Sequence, residues 1–452
     1  MSYGGRSATS CGITPNTGRA WPTWRWKTNG RGGGGVSTCT VIRAGLLIDG
    51  SGREPVSPAV VVVEGERVAA AGRPEEVRVP PDGVVYEAGN RTVMPGLIDS
   101  HVHITGSGEA SWMETIKYTI PYTTLRAAVN ARTALEAGIT SIRDAGASWG
   151  IDVGLKRAIN EGLVPGPRMV VSGPGLSITG GHGDPANGWP PEVIFRAREM
   201  SVVDSPDEAR RAARTHLRDG ADCIKLLATG GVLSEGDLPT SRGLTVEEMR
   251  AAIEEAHNLG KKTLAHAQGS TGIKNAILAG IDSIEHGCYL TEEIIEMMLA
   301  RGVFLVPTLS AVHHIVERGA EAGIPPYAVE KARRMQEDHW RSFRMALEAG
   351  VKIAMGTDAA TPFNYHGANA LELELMVKAG MTPMQALVAA TSRGAELLGL
   401  EAGLLEPGRL ADLLVVDGNP LEDITCLQHK DRILLVMKDG VVQVNRGLTP
   451  AP

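Results

Sequence analysis

Two histidines spaced two residues apart, His101 and His103, close the segment Met94-Pro95-Gly96-Leu97-Ile98-Asp99-Ser100-His101-Val102-His103, directly after an apolar run. On an extended strand such residues point the same way, so both imidazoles can reach one ion. With 12 histidines among 452 residues, that spacing alone carries little weight. Position carries more. Lys225 sits inside the run Ile224-Lys225-Leu226-Leu227, His266 and His286 each end an apolar run, and Asp358 follows another. Ligand-type side chains repeatedly placed at the ends of apolar runs point to a divalent metal site. Lys225 is the odd member, because an ammonium with an ordinary pKa of about 10.4 is repelled by divalent ions. It is also expensive to bury unpaired. Reaction with CO2 to a carbamate resolves both problems, supplying two anionic oxygens that can bridge two metals.

The elements that position these residues follow from a repeating pattern beyond residue 93. Helical stretches end in Gly138, Gly220, Gly260, Gly280, Gly302 and Gly350, each suited to a left-handed helix terminus, and an apolar run follows at once. Those runs read as strands at 139–144, 222–228, 262–266, 282–286, 303–308 and 351–357; adding 93–98 and 169–172 makes eight. Strands that alternate with helices and do not alternate in polarity predict a parallel sheet buried on both faces. The expected fold is therefore α/β, a (β/α)8 TIM barrel over residues 93–402, with active-site residues at the carboxyl ends of the strands. Residues 38–92 and 403–448 instead hold short Val-rich runs split by Asp49-Gly50, Asp417-Gly418 and Asp439-Gly440, which are hairpin signals. Together they are expected to form a small composite β-sandwich domain. Residues 1–37, rich in Gly, Ser, Thr and Arg, are expected to be a flexible extension.

The formal net charge of -7 is unevenly placed, since residues 1–37 carry Arg6, Arg19, Arg25, Lys27 and Arg31 and no acid. An acidic body without a basic run argues against nucleic acid as partner, because phosphate binding needs clustered cations. A small-molecule substrate fits better, with a homo-oligomer as the expected assembly. The five cysteines are scattered and lack a C-x-x-C pair, which argues against both a disulfide framework and a thiolate zinc site. No apolar stretch is long enough to span a bilayer, and no secretory core stands at the N-terminus. A cytoplasmic protein with no membrane partner is expected.

The chain resembles the amidohydrolase superfamily, in its prolidase-like branch of Xaa-Pro dipeptidases and carboxypeptidases, with imidazolonepropionase-like proteins as further relatives. The residues that carry the resemblance are the Pro95 to His103 segment, Ile224-Lys225-Leu226 with Thr229-Gly230-Gly231, Ala265-His266-Ala267, Ile284-Glu285-His286-Gly287, Gly356-Thr357-Asp358 and Gly408-Arg409-Leu410-Ala411-Asp412-Leu413. Thr179-Gly180-Gly181-His182-Gly183 is the loop shared with the dipeptidases. The resemblance implies a binuclear zinc site: His101 and His103 with Asp358 on one ion, His266 and His286 on the other, and carboxylated Lys225 bridging them with a hydroxide. It further implies Asp358 as the base that passes a proton to the leaving nitrogen, and His182 as a donor to the developing oxyanion. Gln268 stands where those relatives have Tyr, which puts peptide specificity in question. Tyr289, Arg242, Asn364 and His366 follow strands and are candidate substrate contacts. Cys223 and Cys288 are read as small buried fillers.

The expected activity is hydrolysis of an amide-type C–N bond in a small molecule, a dipeptide or N-acyl amino acid. The alternative is a urea, carbamate or lactam, xenobiotics included, since the same attack reaches any carbonyl that the pocket admits. Deamination fits less well, because the mononuclear deaminases and imidazolonepropionase-like relatives lack a metal-bridging Lys. A non-catalytic scaffold of this fold would have lost ligands, and none is missing here.

Overall fold

The computed structural model describes residues 39–193, 196 and 201–450. The extension expected at residues 1–37 lies outside them. The polypeptide is an α/β protein whose two kinds of sheet differ as their sequences do. One is a seven-stranded mixed sheet in the order β14-β13-β12-β4-β1-β2-β3. It takes β1 (Cys39–Leu47), β2 (Ala59–Glu64), β3 (Arg67–Gly72) and β4 (Val84–Pro95) from the first part of the chain, and β12 (Leu413–Val416), β13 (Ile433–Lys438) and β14 (Val441–Asn445) from the last. The two parts join where β4 pairs antiparallel with β12, Met94 opposite Leu414. Side chains from both, among them Ile42, Val61, Val93, Leu413, Val415 and Leu435, share one buried apolar cluster. Asp439-Gly440 forms the tight turn between β13 and β14, with positive φ at both residues. Asp417-Gly418 does not: it opens a longer connection over residues 417–432 that carries two short 3₁₀ turns.

The parallel strands are β5 (Leu97–Val102), β6 (Ile139–Asp144), β7 (Arg168–Val171), β8 (Cys223–Leu227), β9 (Lys262–Ala267), β10 (Ser283–His286) and β11 (Phe304–Val306). They pair as β5-β6-β7 and β8-β9-β10-β11, and almost every residue in them is buried, as apolar runs of this kind require. Isolated parallel bridges carry the pairing onward: Leu176 to Leu226, Leu305 to Ile353, and Val102 to Ala359. Helices between successive strands close with left-handed Gly220, Gly280, Gly302 and Gly350. No helix among the described residues is long and apolar enough to cross a membrane.

Two expectations about strands are corrected. The run expected as one strand at 93–98 is divided, since β4 ends at Pro95 in the mixed sheet and β5 begins at Leu97, so His101 lies within its strand and not after it. The run at 351–357 forms no strand beyond the bridge at Ile353. Residues of the 383–390 segment intrude there: Met355 N–H bonds the Ala389 carbonyl and Ile98 N–H the Ala390 carbonyl. The backbone is satisfied without a regular ladder.

Candidate metal centre

β5 delivers His101 and His103 to one cavity of about 610 Å³, which Lys225 of β8, His266 of β9, His286 of β10 and Asp358 also line. His182 and Gln268 line it as well. The imidazoles are contiguous, with ring centroids 5.5 Å apart for His101 and His103, 5.2 Å for His101 and His286, and 4.5 Å for His266 and His286. Candidate ligand atoms of His101, His103 and Asp358 all fall within 4.8 Å of one another. Asp358 Oδ1 lies 3.2 Å from His103 Nε2 and 3.6 Å from His101 Nε2.

Hydrogen bonds fix which nitrogen of each ring is free to bind. His101 Nδ1 donates to Glu285 Oε2 at 2.6 Å, and His103 Nδ1 donates to the Gly146 carbonyl at 3.2 Å. His266 uses Nε2 instead, donating to the Gly230 carbonyl at 3.0 Å, while His286 Nδ1 bonds Thr308 Oγ1 at 2.7 Å. The remaining nitrogens are Nε2, Nε2, Nδ1 and Nε2. That of His101 is buried without any hydrogen-bond partner, which a structural histidine would avoid and a metal would relieve. Burial first, then the neighbouring positive groups, hold His101, His266 and His286 well below the usual imidazole range. They are neutral, as ligands must be. Burial alone would raise Asp358, but the His103 hydrogen bond, together with the electrostatic pull of the imidazoles and Lys225 around it, outweighs burial and holds the carboxylate at about 2. Lys225 is pulled down to about 8, by burial foremost, so an uncharged amine is accessible near neutrality. The donor set of four imidazoles, a carboxylate and a reactive lysine fits a pair of divalent ions.

The backbone is strained at two of the candidate ligands and at Thr308, the hydrogen-bond partner of one of them. His286, Thr308 and Asp358 are left-handed, with φ of 72°, 51° and 57°, a conformation that disfavours non-glycine residues. Asn364 holds Asp358 there, its Nδ2 donating to the Thr357 carbonyl at 2.7 Å and the Asp358 carbonyl at 3.2 Å. Gly356 lets this segment approach, since a Cβ would fall 2.3 Å from Val306 and 2.9 Å from His101.

Several supporting residues carry no ligand signature in the sequence. Glu285, fully buried, accepts from Arg143 Nη2 at 2.8 Å and Ser283 Oγ at 2.5 Å besides His101. Arg143, also buried, reaches the Ser100 carbonyl through Nε at 2.7 Å. Replacing Glu285 by Gln turns one of the two acceptor oxygens into an NH2 group facing a donor. If the cavity holds a metal pair, Glu285→Gln should therefore weaken the binding of added zinc by about 10- to 100-fold, measured by chelator competition. Unaltered affinity would remove Glu285 from the site.

His182 rests on Gly231, where a Cβ would lie 2.2 Å from its ring, and stacks on His266 at 4.3 Å. Its Nδ1 bonds Ser234 Oγ at 2.7 Å, and Ser234 donates to Asp237 at 2.5 Å. Because the hydroxyl proton goes to Asp237, Nδ1 carries the imidazole proton and the neutral ring offers Nε2 as an acceptor. Burial first, offset by Asp237, sets this ring at about 4, so the expected donation to an oxyanion requires a second proton on the ring. Gln268 is buried, with Oε1 unpartnered. Tyr289, Arg242 and His366 do not line the cavity. Tyr289 packs in a neighbouring apolar cluster, Arg242 is exposed and pairs through its backbone with Thr229, and His366 donates through Nε2 to the His103 carbonyl at 3.2 Å. Cys223 and Cys288 are buried free thiols.

Comparison with known proteins adds three findings. Residues 92–442 match the family described as the amidohydrolase family. Ochratoxinase of Aspergillus niger is 35% identical over 436 residues, covering 91% of this chain and 88% of that protein, and its crystal structure superposes with a TM-score of 0.80 at 31% identity over 92% of this chain and 97% of that one. The crystal structure of a Xaa-Pro dipeptidase with methionine bound in its active site matches with a TM-score of 0.83 at 35% identity, over 90% of this chain and 100% of that one.

Proposed function

The chain belongs to the amidohydrolase family, and on that premise we propose that it is a binuclear metal-dependent hydrolase of an amide-type C–N bond in a small molecule, a dipeptide or N-acyl amino acid. The observation that carries this reading is the convergence of His101, His103, Lys225, His266, His286 and Asp358 on one cavity, with a binding nitrogen of His101 left bare. The fold that achieves it is read as a (β/α)8 barrel beside a β-sandwich domain built from both chain ends. His101, His103 and Asp358 would hold one zinc ion, His266 and His286 the other, and a carbamate on Lys225 would lie between them. What two such ions supply is a lowered pKa for a shared water and a polarised scissile carbonyl.

The chain's own residues do the rest. Lys225 Nζ, deprotonated, attacks CO2 to form an N–C bond and releases its second proton, giving a carbamate anion. Asp358, ionised and within 3.2 Å of His103 Nε2, accepts one proton from the attacking water and delivers it to the departing nitrogen as the C–N bond breaks; the second water proton leaves the new carboxyl group for the amine, so the amide becomes a carboxylate and an ammonium. His182 contacts the substrate beside the reacting carbonyl. The kinship to a Xaa-Pro dipeptidase and to ochratoxinase supports amide over urea or carbamate substrates. The enzyme is further read as a cytoplasmic homo-oligomer.

The test is a substrate screen with zinc and bicarbonate supplied, alongside metal analysis. About two zinc ions per chain and turnover of dipeptides or N-acyl amino acids are expected. A metal-loaded protein that turned over only ureas or carbamates, or nothing in the panel, would reject the assignment.

A further inference from the structure

The loop after β6 carries a residue that its own backbone disfavours. Trp149 and Gly150 are both left-handed, with φ of 66° and 65°, and Ile151 N–H returns to the Ser148 carbonyl at 3.4 Å. Residues 148–151 thus make a tight turn with positive φ at both central positions. Such turns select Asn, Asp or Gly there, because a larger side chain crowds the neighbouring carbonyl. Tryptophan is among the worst choices. The turn is held nonetheless: the Gly146 carbonyl accepts from His103 Nδ1 at 3.2 Å, and Ala147 N–H bonds the Gly173 carbonyl at 3.1 Å. Gly150 then starts the helix Ile151–Asn160 without a side-chain cap. A bulky side chain kept in a disfavoured conformation by its surroundings marks a position selected for what the side chain reaches.

Trp149 stands on the wall of the cavity. Trp149 lines it together with Tyr118, Ile120, Ile151, Val312 and Ile315, yet remains 44% exposed. A large aromatic residue on the cavity wall, among these apolar neighbours and still open to solvent, is surface that a ligand can cover, and ring-on-ring contact adds to the area term. The bond from His103 to the Gly146 carbonyl ties the loop that carries Trp149 to the candidate metal centre. Resting on the hydrolase reading above, we propose that Trp149 determines specificity by stacking on an aromatic ring of the substrate. The preferred class is then amides that carry an aromatic group on one side of the scissile bond.

The test uses zinc-loaded enzyme and a matched set: N-acetylalanine, N-acetylphenylalanine and N-benzoylalanine. Wild type should favour one aromatic member over N-acetylalanine by about tenfold or more in kcat/KM. Trp149→Asn should bring that ratio close to one without lowering the melting temperature, because Asn suits the turn; Trp149→Phe should keep most of the preference. Equal rates across the set in wild type would overturn the aromatic assignment alone. So would a Trp149→Asn variant that kept its preference, or one that melted lower and lost all three activities in proportion, the mark of a purely structural role. A metal-loaded wild type that hydrolysed none of the three would overturn the hydrolase reading with it.

Discussion

Lys225→Ala is expected to lose most of its bound zinc and about a thousandfold or more in kcat/KM, with partial recovery in acetate or propionate. The lysine sits mid-strand in β8, its carbonyl accepting from Leu176 N–H at 2.9 Å, so the backbone stays anchored when the side chain is cut back. What disappears is the buried amine that shares the cavity with the four imidazoles. Burial has already brought its amine to about 8, which favours capture of CO2 and disfavours a permanent ammonium beside cations. On the proposed carbamate reading, a short carboxylic acid would take the space left by the side chain and supply two anionic oxygens in place of the carbamate's. Metal content by mass spectrometry, with activity measured against added carboxylate, checks both halves. Wild-type zinc content in the variant would refute the bridging role.

Asp358→Asn is expected to retain fold and melting temperature yet lose about a thousandfold in kcat under saturating zinc. Asn tolerates the left-handed backbone at this position better than other replacements, and the grip of Asn364 on the Asp358 carbonyl is untouched. The variant therefore removes charge, basicity and one anionic ligand of the proposed zinc site, and saturating zinc is supplied to offset the last of these. Activity above about a tenth of wild type under those conditions would show that the proton passes elsewhere.

The six cavity-lining candidates were legible because each stands in or just after a buried apolar run, where a polar residue demands a reason. Glu285 and Arg143 stand in such runs too, as Ile284-Glu285-His286 and Ile142-Arg143-Asp144. Two opposite charges in separate buried strands were a readable signal, but which acid meets which base is decided by the pairing of strands, not by either run alone. The irregular course of residues 351–357 was not legible at all. It depends on Asp99, which accepts from Thr357 Oγ1 at 2.6 Å and Asn369 Nδ2 at 2.7 Å, and on helix-end carbonyls at Ala389 and Ala390 that no local pattern announces. The partition of the 93–98 run between two sheets was hidden for a similar reason, since Pro95 and Gly96 interrupt an apolar stretch whose halves look alike. Tyr289, Arg242 and His366 were chosen for position after strands, and position after a strand does not fix the direction of a side chain.

The union of β4 with β12 has a bearing on biosynthesis. β4 leads through Gly96 into the strand that holds His101, while its antiparallel partner, paired from Leu413 to Val416, emerges from the ribosome only after all six cavity-lining candidates, His101 to Asp358, have been made. Until then the emerging polypeptide has one flank of its first sheet uncovered and must span more than three hundred residues to cover it, a slow non-local closure. Order of synthesis thereby makes the last stretch of chain the latch on the first.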